Sequence, residues 1–399
     1  MLLVTLCAKP WRAVGAQTAP AALMEVAAPL NEFGLRLLRT LTDGKGANVT
    51  VSPLSVSLAL AMTYNGASGA TRTAIAKTLG IATLDDEDFN RDNRTLLDTL
   101  QKADPAIQIE IANALWTRSG FPINHDFLQV SRDFFDASAE SLDFAGDPDG
   151  AAGQINSWVK ERTHGKIPEI VRNLSRSTAL VLTDAVYFKG RWSVSFKEKQ
   201  TMLRSFHFPD GGSVETRMMR QDGEFDYLET PALQAIRLPY GDRRFAMYVF
   251  LPRQDSGLPE FLRSLDEAHW AQWMPQFRPR RGQIVLPRFE STYGQKLNDA
   301  LELMGMRVAF GPAADFSRIH QPPPQLTISD VEHKTYVKVD EEGTEAAAAT
   351  SIGIVASAII AAPPPQFKMV VDHPSFCAIA EQQSGALLFA GVVTNPTQH

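Results

Sequence analysis

Apolar residues recur at helical spacing in the first part of the chain. The pattern from Asn31 to Leu41 places apolar residues on one face and predicts a first helix, closed by Gly44 and Gly46. Ser52 and Pro53 then supply a capping hydroxyl and a proline suited to the first helical position. Because apolar residues surround most of the helix that follows, we expect it to be buried in the core.

The period of the pattern changes after the third predicted helix. That helix runs through Ile75 and Leu79 and ends at Gly80, and the acidic residues 85–88 beyond it are interpreted as a solvated loop. Isoleucines then alternate with other residues over 107–111, which predicts a half-buried strand.

Longer apolar runs in the rest of the chain predict strands that are covered on both faces. These runs lie at residues 180–188, 245–251, 284–286 and 386–393, and helical patterns recur at 155–161 and 297–303. No linker, composition shift or internal repeat divides the chain. We therefore predict one mixed α and β domain over residues 31–399, preceded by an N-terminal extension or degenerate signal segment over residues 1–30.

Composition narrows the range of functions. With 399 residues, 44% hydrophobic and 21% charged, the chain is long and apolar enough to build a sizeable core. A net charge of -6 provides no positive field for a nucleic acid backbone. The two cysteines, Cys7 and Cys377, cannot form a disulfide framework or a zinc cluster. We expect no metal, no cofactor and no nucleic acid partner.

The familiar catalytic motifs are absent from the sequence. It contains no GxSxG elbow, HExxH helix, phosphate-binding loop or GxGxxG fingerprint, and its eight histidines are scattered. We expect no catalytic residues and no enzymatic activity, although a catalytic site assembled only in three dimensions is left open.

An uncharged stretch over residues 346–365 follows the charged run 337–345. It is short for a membrane span, too rich in Ile, Val, Gly and Ser for a good helix, long for an ordinary strand and apolar for a linker. Read with a period of two from Thr344 to Ala356, one face carries no charge and no proline. Such a segment could enter a sheet as a new strand without burying an unpaired charge.

The residues around this stretch resemble the serpin family. The hinge of the serpin reactive-centre loop is similar to Glu341, Glu342, Gly343, Thr344, Glu345, Ala346, Ala347, Ala348, Ala349 and Thr350. Further serpin-like motifs occur in the expected order at residues 48–55, 188–192, 238–240, 286–289, 314–317 and 395–397. The similarity extends over nearly the whole chain from Asn31.

The resemblance implies an α+β serpin fold with three β-sheets, eight to nine helices and an exposed loop that serves as bait. It implies a monomeric suicide-substrate inhibitor whose partner is a serine protease held as a covalent acyl complex, with no membrane partner. Export is also implied, so we expect an extracellular or periplasmic protein, although residues 1–8 make a poor signal segment. The alternative is a non-inhibitory serpin that acts as a carrier, chaperone or interaction module.

Counting from the hinge as in the family places the scissile bond between Ser357 and Ala358. A small residue at the cut fits a shallow apolar pocket, so we expect elastase-like or subtilisin-like proteases. Because no Lys or Arg occurs between Glu345 and Phe367, trypsin-like proteases are expected to be excluded. The prolines at 363–365 are expected to stiffen the segment that follows the bond.

The resemblance also implies a polar cluster where the large sheet opens. We assign to it Ser52, Ser55, Asp184, Trp192 and His333. Asp184 stands where the family usually has asparagine, and two readings are open. In the first, Asp184 is a harmless substitution hydrogen-bonded to a hydroxyl. In the second, Asp184 and a protonated His333 form a buried charge pair that makes sheet opening sensitive to pH.

Overall fold

The computed structural model describes residues 21–43, 46–102, 104, 106–254, 257–320, 326–344 and 366–398. Its helices are α1 (Ala21–Thr42), α2 (Pro53–Gly66), α3 (Gly69–Leu79), α4 (Asp86–Gln101), α5 (His125–Phe135), α6 (Pro148–Arg162), α7 (Gly257–Ser264), α8 (Glu267–Trp273), α9 (Asn298–Leu301) and α10 (Arg307–Phe310). Short 3-10 turns lie at Glu198–Gln200 and Met274–Gln276, and a π-helical turn, Glu302–Met306, joins α9 to α10.

The strands are β1 (Val49–Val51), β2 (Ile107–Arg118), β3 (Ser138–Leu142), β4 (Leu180–Arg191), β5 (Met202–His207), β6 (Ser213–Glu229), β7 (Leu233–Tyr240), β8 (Phe245–Pro252), β9 (Arg278–Pro287), β10 (Phe289–Lys296), β11 (Ile328–Val339), β12 (Gly343–Thr344), β13 (Phe367–Val370), β14 (Ser375–Glu381) and β15 (Leu387–Val393). Every strand predicted from an apolar run lies within or overlaps one of these strands.

The residues predicted to begin α2 and to end α3 do so in the structure. The Ser52 side chain accepts a hydrogen bond from the Ser55 backbone at the start of α2, and Pro53 occupies the first turn. Nearly every residue of α2 is buried. At the end of α3, Gly80 adopts a left-handed conformation with φ of 75°, which glycine adopts without strain.

Two local predictions differ from the structure. The first helix begins at Ala21, ten residues before Asn31, so the predicted division after residue 30 falls inside α1. Alanine and leucine favour the helix, and Leu23 and Val26 are buried in the core, which extends the helix backwards. The acidic residues 85–88 are not a solvated loop: Asp85 caps α4 and accepts hydrogen bonds from the backbone of Glu87 and Asp88, because carboxylates are favourable at a helix N-terminus.

The described strands form two hydrogen-bonded sheets. Nine strands form one sheet, in which β6 pairs with β9 over residues 218–227 and with β7 over residues 226–229. Six strands form the other, in the order β10, β11, β12, β4, β2 and β3. The family resemblance implies three sheets, and the described strands join into two because β6 continues without a break from one half of the larger sheet into the other.

The two faces of the six-stranded sheet belong to different apolar clusters. Leu182 and Val186 of β4 pack into the main core together with residues of α2. Val181 and Ala185, on the opposite face of the same strand, pack with α6 and with apolar residues of 167–174. A strand added beside β4 would therefore meet a core on one face and the α6 cover on the other.

Candidate functional site

The central feature of the six-stranded sheet is the contact between β4 and β11, which we call the seam. The two strands pair in parallel from Ile328 opposite Leu180 to Tyr336 opposite Tyr187. Beyond Tyr187 and Tyr336 the two strands separate, and β12 lies in the gap between them. Thr344 of β12 pairs with Gly190 of β4 and with Val339 of β11, antiparallel to both strands.

Aromatic residues hold the start of the hinge in this gap. The Tyr240 and Thr344 hydroxyl oxygens are 2.6 Å apart, and Trp192 stacks on Tyr240 with ring centroids 4.4 Å apart. Trp192 also donates its indole N–H to the Asp340 carbonyl at 2.9 Å and its backbone N–H to the Glu342 carbonyl at 2.9 Å. Burial raises the pKa of Tyr240 well above its ordinary value, so its hydroxyl stays protonated.

The backbone of Gly343 passes close to β4. A Cβ atom at this position would lie 2.0 Å from the Gly190 carbonyl oxygen. A side chain here would push the hinge away from the strand, so the glycine is required by the close approach of the two backbones.

A buried ion pair holds Glu341, which lies just before β12 in the chain. The Glu341 side chain is only 7% exposed, and Arg288 meets both of its oxygens, at 2.7 Å from Nε and 2.5 Å from Nη2. The Thr201 hydroxyl donates to the same carboxylate at 2.5 Å. Glu341 was predicted only as the first residue of the hinge. Its partner Arg288 lies in a serpin-like motif, but sequence spacing does not show that the two side chains meet.

A second group of polar residues lies midway along the seam. Asp184 of β4 is hydrogen-bonded through Oδ2 to Ser55 Oγ on α2 and through Oδ1 to His333 Nδ1 on β11. Ser52 belongs to the same group, since its backbone N–H donates to His333 Nε2 at 3.3 Å. We call these four residues the seam cluster. All four are almost completely buried.

The predicted sheet-opening cluster is therefore split into two sites. Four of its members form the seam cluster, whereas Trp192 lies beside the hinge. Trp192 follows Asp184 by eight residues along an extended chain, which corresponds to about 26 Å. Sequence reasoning also missed Asn113 of β2, whose side-chain oxygen is 3.1 Å from Ser55 Oγ and whose amide donates to the Ser55 carbonyl at 3.1 Å.

The hydrogen bond from Ser52 determines the form of His333. Nε2 accepts a hydrogen bond from the Ser52 backbone N–H, which is suited to a ring nitrogen without a proton, and the proton of a neutral imidazole then lies on Nδ1, facing Asp184. A doubly protonated imidazole would point a second N–H at the Ser52 N–H. The contact with Ser52 favours the neutral form of His333, so it supports the first reading of Asp184, and the charge pair stays a prediction.

On the other face of the sheet, α6 and the segment after it cover the seam. The Asn156 side chain on α6 accepts from the backbone of Ile170 and Val171, at 2.8 and 2.9 Å. Lys334 of β11 donates to the Glu169 carbonyl at 2.7 Å, so the cover is attached to the second strand of the seam. Beside it, burial raises the pKa of Glu332 to about 7.

The predicted bait itself lies outside the described residues. This applies to the hinge residues beyond Thr344 and to both residues of the predicted bond: Glu345, Ala346, Ala347, Ala348, Ala349, Thr350, Ser357 and Ala358. The described chain resumes at Gln366, which donates to the Arg281 carbonyl at 2.7 Å, and β13 then pairs with β9 in the other sheet. The two ends of the segment are thus held in different sheets.

Comparison with known proteins agrees with this architecture. The family model described as serpin (serine protease inhibitor) matches residues 28–396. The chain belongs to the serpin family. A serpin-like protein of Thermococcus kodakarensis is 36% identical over 92% of this chain and 85% of its own length. Serpin-Z2A of Triticum aestivum is 34% identical over 91% of this chain and 94% of that protein.

Solved serpin structures share the fold. The thermophilic serpin tengpin in its native state has a TM-score of 0.85 and 29% identity, covering 93% of this chain and 94% of that one. Human thyroxine-binding globulin complexed with thyroxine has a TM-score of 0.86 and 25% identity, covering 94% and 100%. In the ranges described for this serpin, no helix combines the length and apolar character needed to cross a membrane.

Proposed function

We propose that this serpin is a suicide-substrate inhibitor of serine proteases that inserts its cleaved loop into the seam. The observation that carries the proposal is the position of Gly343–Thr344, which already forms the first residues of a third strand between β4 and β11. A strand that continued from Thr344 would be antiparallel to both neighbours. It would replace the parallel pairing of β4 with β11.

The length of the loop supports insertion. Because Thr344 lies opposite Gly190, continuation of this antiparallel register would bring Ile354 opposite Leu180, the first residue of β4. The predicted cut after Ser357 leaves just enough chain to fill the seam. Each backbone hydrogen bond contributes about 1 kcal/mol net, so a dozen new bonds favour insertion by on the order of 10 kcal/mol before the entropy of ordering the loop.

The side chains of the hinge fit the two faces of the seam. In the same register, Ala346 would lie opposite Phe188, which is buried in the main core, and Glu345 would lie opposite Lys189, which is half-buried. The small uncharged residue thus faces the core, and the carboxylate faces a cation. This agrees with the alternation expected for a strand that can enter without burying a charge.

In the proposed reaction, the protease serine attacks the carbonyl carbon of Ser357. The bond to Ala358 breaks, the amino group of Ala358 leaves, and an ester joins Ser357 to the protease. Insertion then carries the protease away from its docking position before water hydrolyses the ester. Because Ser357 is small and the loop contains no Lys or Arg between Glu345 and Phe367, we propose elastase-like or subtilisin-like targets. An extracellular or periplasmic location is part of the same proposal.

A second candidate function is that of a non-inhibitory serpin. The similarity to thyroxine-binding globulin favours it, because that family member binds thyroxine and is non-inhibitory. The uncharged and proline-free inward face of residues 344–356 favours the inhibitor.

A gel assay distinguishes the two functions. The protein is mixed with elastase, subtilisin, chymotrypsin or trypsin and analysed under denaturing conditions for a covalent complex. We expect a stable band with elastase or subtilisin and none with trypsin. Loop cleavage without a stable band by any of the proteases would contradict inhibition and favour the carrier.

A matched pair of variants tests insertion itself. The double variant E345A/A346E has the same composition and net charge as the parent, but it moves the carboxylate by one residue to the inward face. We expect it to be cleaved without forming the complex, whereas the single variant E345A keeps the complex. Equal complex formation by the two variants would refute the register proposed here.

A further inference from the structure

The seam cluster buries a carboxyl group without a cation. Asp184 is 1% exposed, and its contacts within the described structure are Ser55 on α2 and His333 on β11. His333 is the titratable group that faces it. The neighbours of the pair are uncharged: Asn113 of β2 lies opposite Asp184, Gln295 of β10 lies opposite His333, and Ser52 caps α2. An ionised Asp184 would be an uncompensated buried charge, which is strongly unfavourable.

The hydroxyl of Ser55 contacts two oxygen atoms but has only one proton to donate. The Asn113 amide donates to the Ser55 carbonyl, which fixes the orientation of that amide and turns its oxygen toward Ser55 Oγ at 3.1 Å. Ser55 Oγ therefore lies between two oxygens, one of Asn113 and one of Asp184. A hydroxyl has one proton, so it can donate to only one of them.

The contact that the Ser55 hydroxyl does not donate to needs a proton from its partner, which is either Asn113 Oδ1 or Asp184 Oδ2. Asn113 Oδ1 carries none, but a carboxylic acid can supply one. If Asp184 Oδ2 donates to Ser55 and Ser55 donates to Asn113, every contact holds one proton. The other oxygen, Asp184 Oδ1, accepts from His333 Nδ1, whose tautomer is set by Ser52. This arrangement satisfies the cluster and leaves no net charge in it.

We propose that Asp184 is a protonated carboxylic acid in the closed sheet and that opening of the seam releases its proton. Separation of β11 from β4 removes His333 from Asp184 and admits water, and a hydrated aspartate is ionised at neutral pH. Each opening event then releases one proton from Asp184. The ratio of open to closed sheet therefore rises tenfold per pH unit, over the pH range in which Asp184 stays protonated in the closed sheet and is ionised in the open one. Alkaline conditions favour opening.

The variant D184N tests the protonation state directly. An asparagine amide reproduces the neutral acid, because its N–H donates to Ser55 and its oxygen accepts from His333. In the infrared difference spectrum of parent minus D184N at neutral pH, we expect the carbonyl stretch of a protonated carboxylic acid. Carboxylate bands alone would overturn the proposal.

A second measurement uses the parent protein and is needed if D184N fails to fold. Carboxyl carbon-13 labelling of aspartate, observed by NMR, should show one side-chain carboxyl that remains in its protonated form at neutral pH. Its absence from the spectrum of the folded parent would overturn the proposal without reference to any variant.

Opening is measured by hydrogen exchange of the β4 and β11 amides between pH 6 and 9. Relative to D184N at the same pH, protection in the parent is expected to fall up to tenfold per pH unit. D222N, a substitution in the exposed ion pair with Arg220, should leave the ratio to the parent constant. A constant ratio for D184N would refute the coupling. These measurements use no protease, so their outcome is independent of inhibition. Faster loop insertion at alkaline pH additionally depends on the proposed function.

Discussion

The ion pair between Arg288 and Glu341 offers a sharp test of how the hinge is held. The substitution R288A removes both guanidinium contacts to Glu341, together with a longer contact to the exposed Glu198, and leaves the Glu341 carboxylate buried with the Thr201 hydroxyl as its remaining side-chain donor. Removal of one partner from a buried pair typically costs about 3 to 5 kcal/mol. Arg288 is 30% exposed, so we expect the lower end of this range.

The matched control is R220A, which breaks an ion pair with Asp222 whose two side chains are 40% and 45% exposed. Exposed pairs contribute about 0 to 1 kcal/mol. We expect R288A to reduce the free energy of unfolding several times more than R220A, measured by denaturant titration. Substitution of the acid as well, in R288A/E341Q, should recover part of the loss because it removes the uncompensated charge.

A hinge that depends on this pair should also loosen locally. We expect hydrogen exchange at Gly343 and Thr344 to accelerate in R288A and to remain unchanged in R220A. If R288A destabilises the protein no more than R220A does, or if E341Q restores nothing in the double variant, the buried pair does not hold the hinge and this reasoning fails.

Three further predictions concern the seam and its cover. Burial raises the pKa of Glu332 from 4.5 to about 7, so its ionised form is disfavoured in the fold and the free energy of unfolding should fall by up to about 3 kcal/mol as pH rises from 4.5 to 7. The variant E332Q should flatten this part of the stability curve, and an unchanged curve would contradict the assignment. Because a Cβ would meet the Gly190 carbonyl, G343A should release the hinge and lower the melting temperature, and an unchanged melting temperature would show that the hinge adapts. Y240F removes the hydroxyl that contacts Thr344, and we expect a loss of about 1 to 2 kcal/mol with faster exchange at the hinge; unaltered exchange there would argue against the contact.

Much of the fold could be predicted because it depends on local patterns. The cap at Ser52, the glycine at the end of α3 and the apolar strands each follow from a few neighbouring residues. The start of α1 was misplaced because a short helical segment is only marginally stable by itself, even when it is rich in alanine, and tertiary burial of Leu23 and Val26 extends the helix. The acidic residues 85–88 were misjudged because a solvated run and a helix start have the same composition.

The candidate site could be predicted only in part, since its contacts join residues far apart in the chain. Arg288 and Glu341 meet because the chain turns between β9 and β10 beside the end of β11. Trp192 was grouped with the seam cluster, but the extended chain of β4 separates it from Asp184 and places it beside the hinge. Asn113 has no neighbouring signal, and it enters the seam cluster through the pairing of β2 with β4.

The amino-acid sequence alone determined the family, the alternating face of the bait and the absence of basic residues in it, because these are properties of residue order. Only the tertiary structure decided that Gly343 and Thr344 already lie between β4 and β11 and that His333 contacts Asp184 through Nδ1 and Ser52 through Nε2. The physical reason is that proton positions and strand pairing depend on atoms brought together from distant parts of the chain, and residue order does not specify the distances between them.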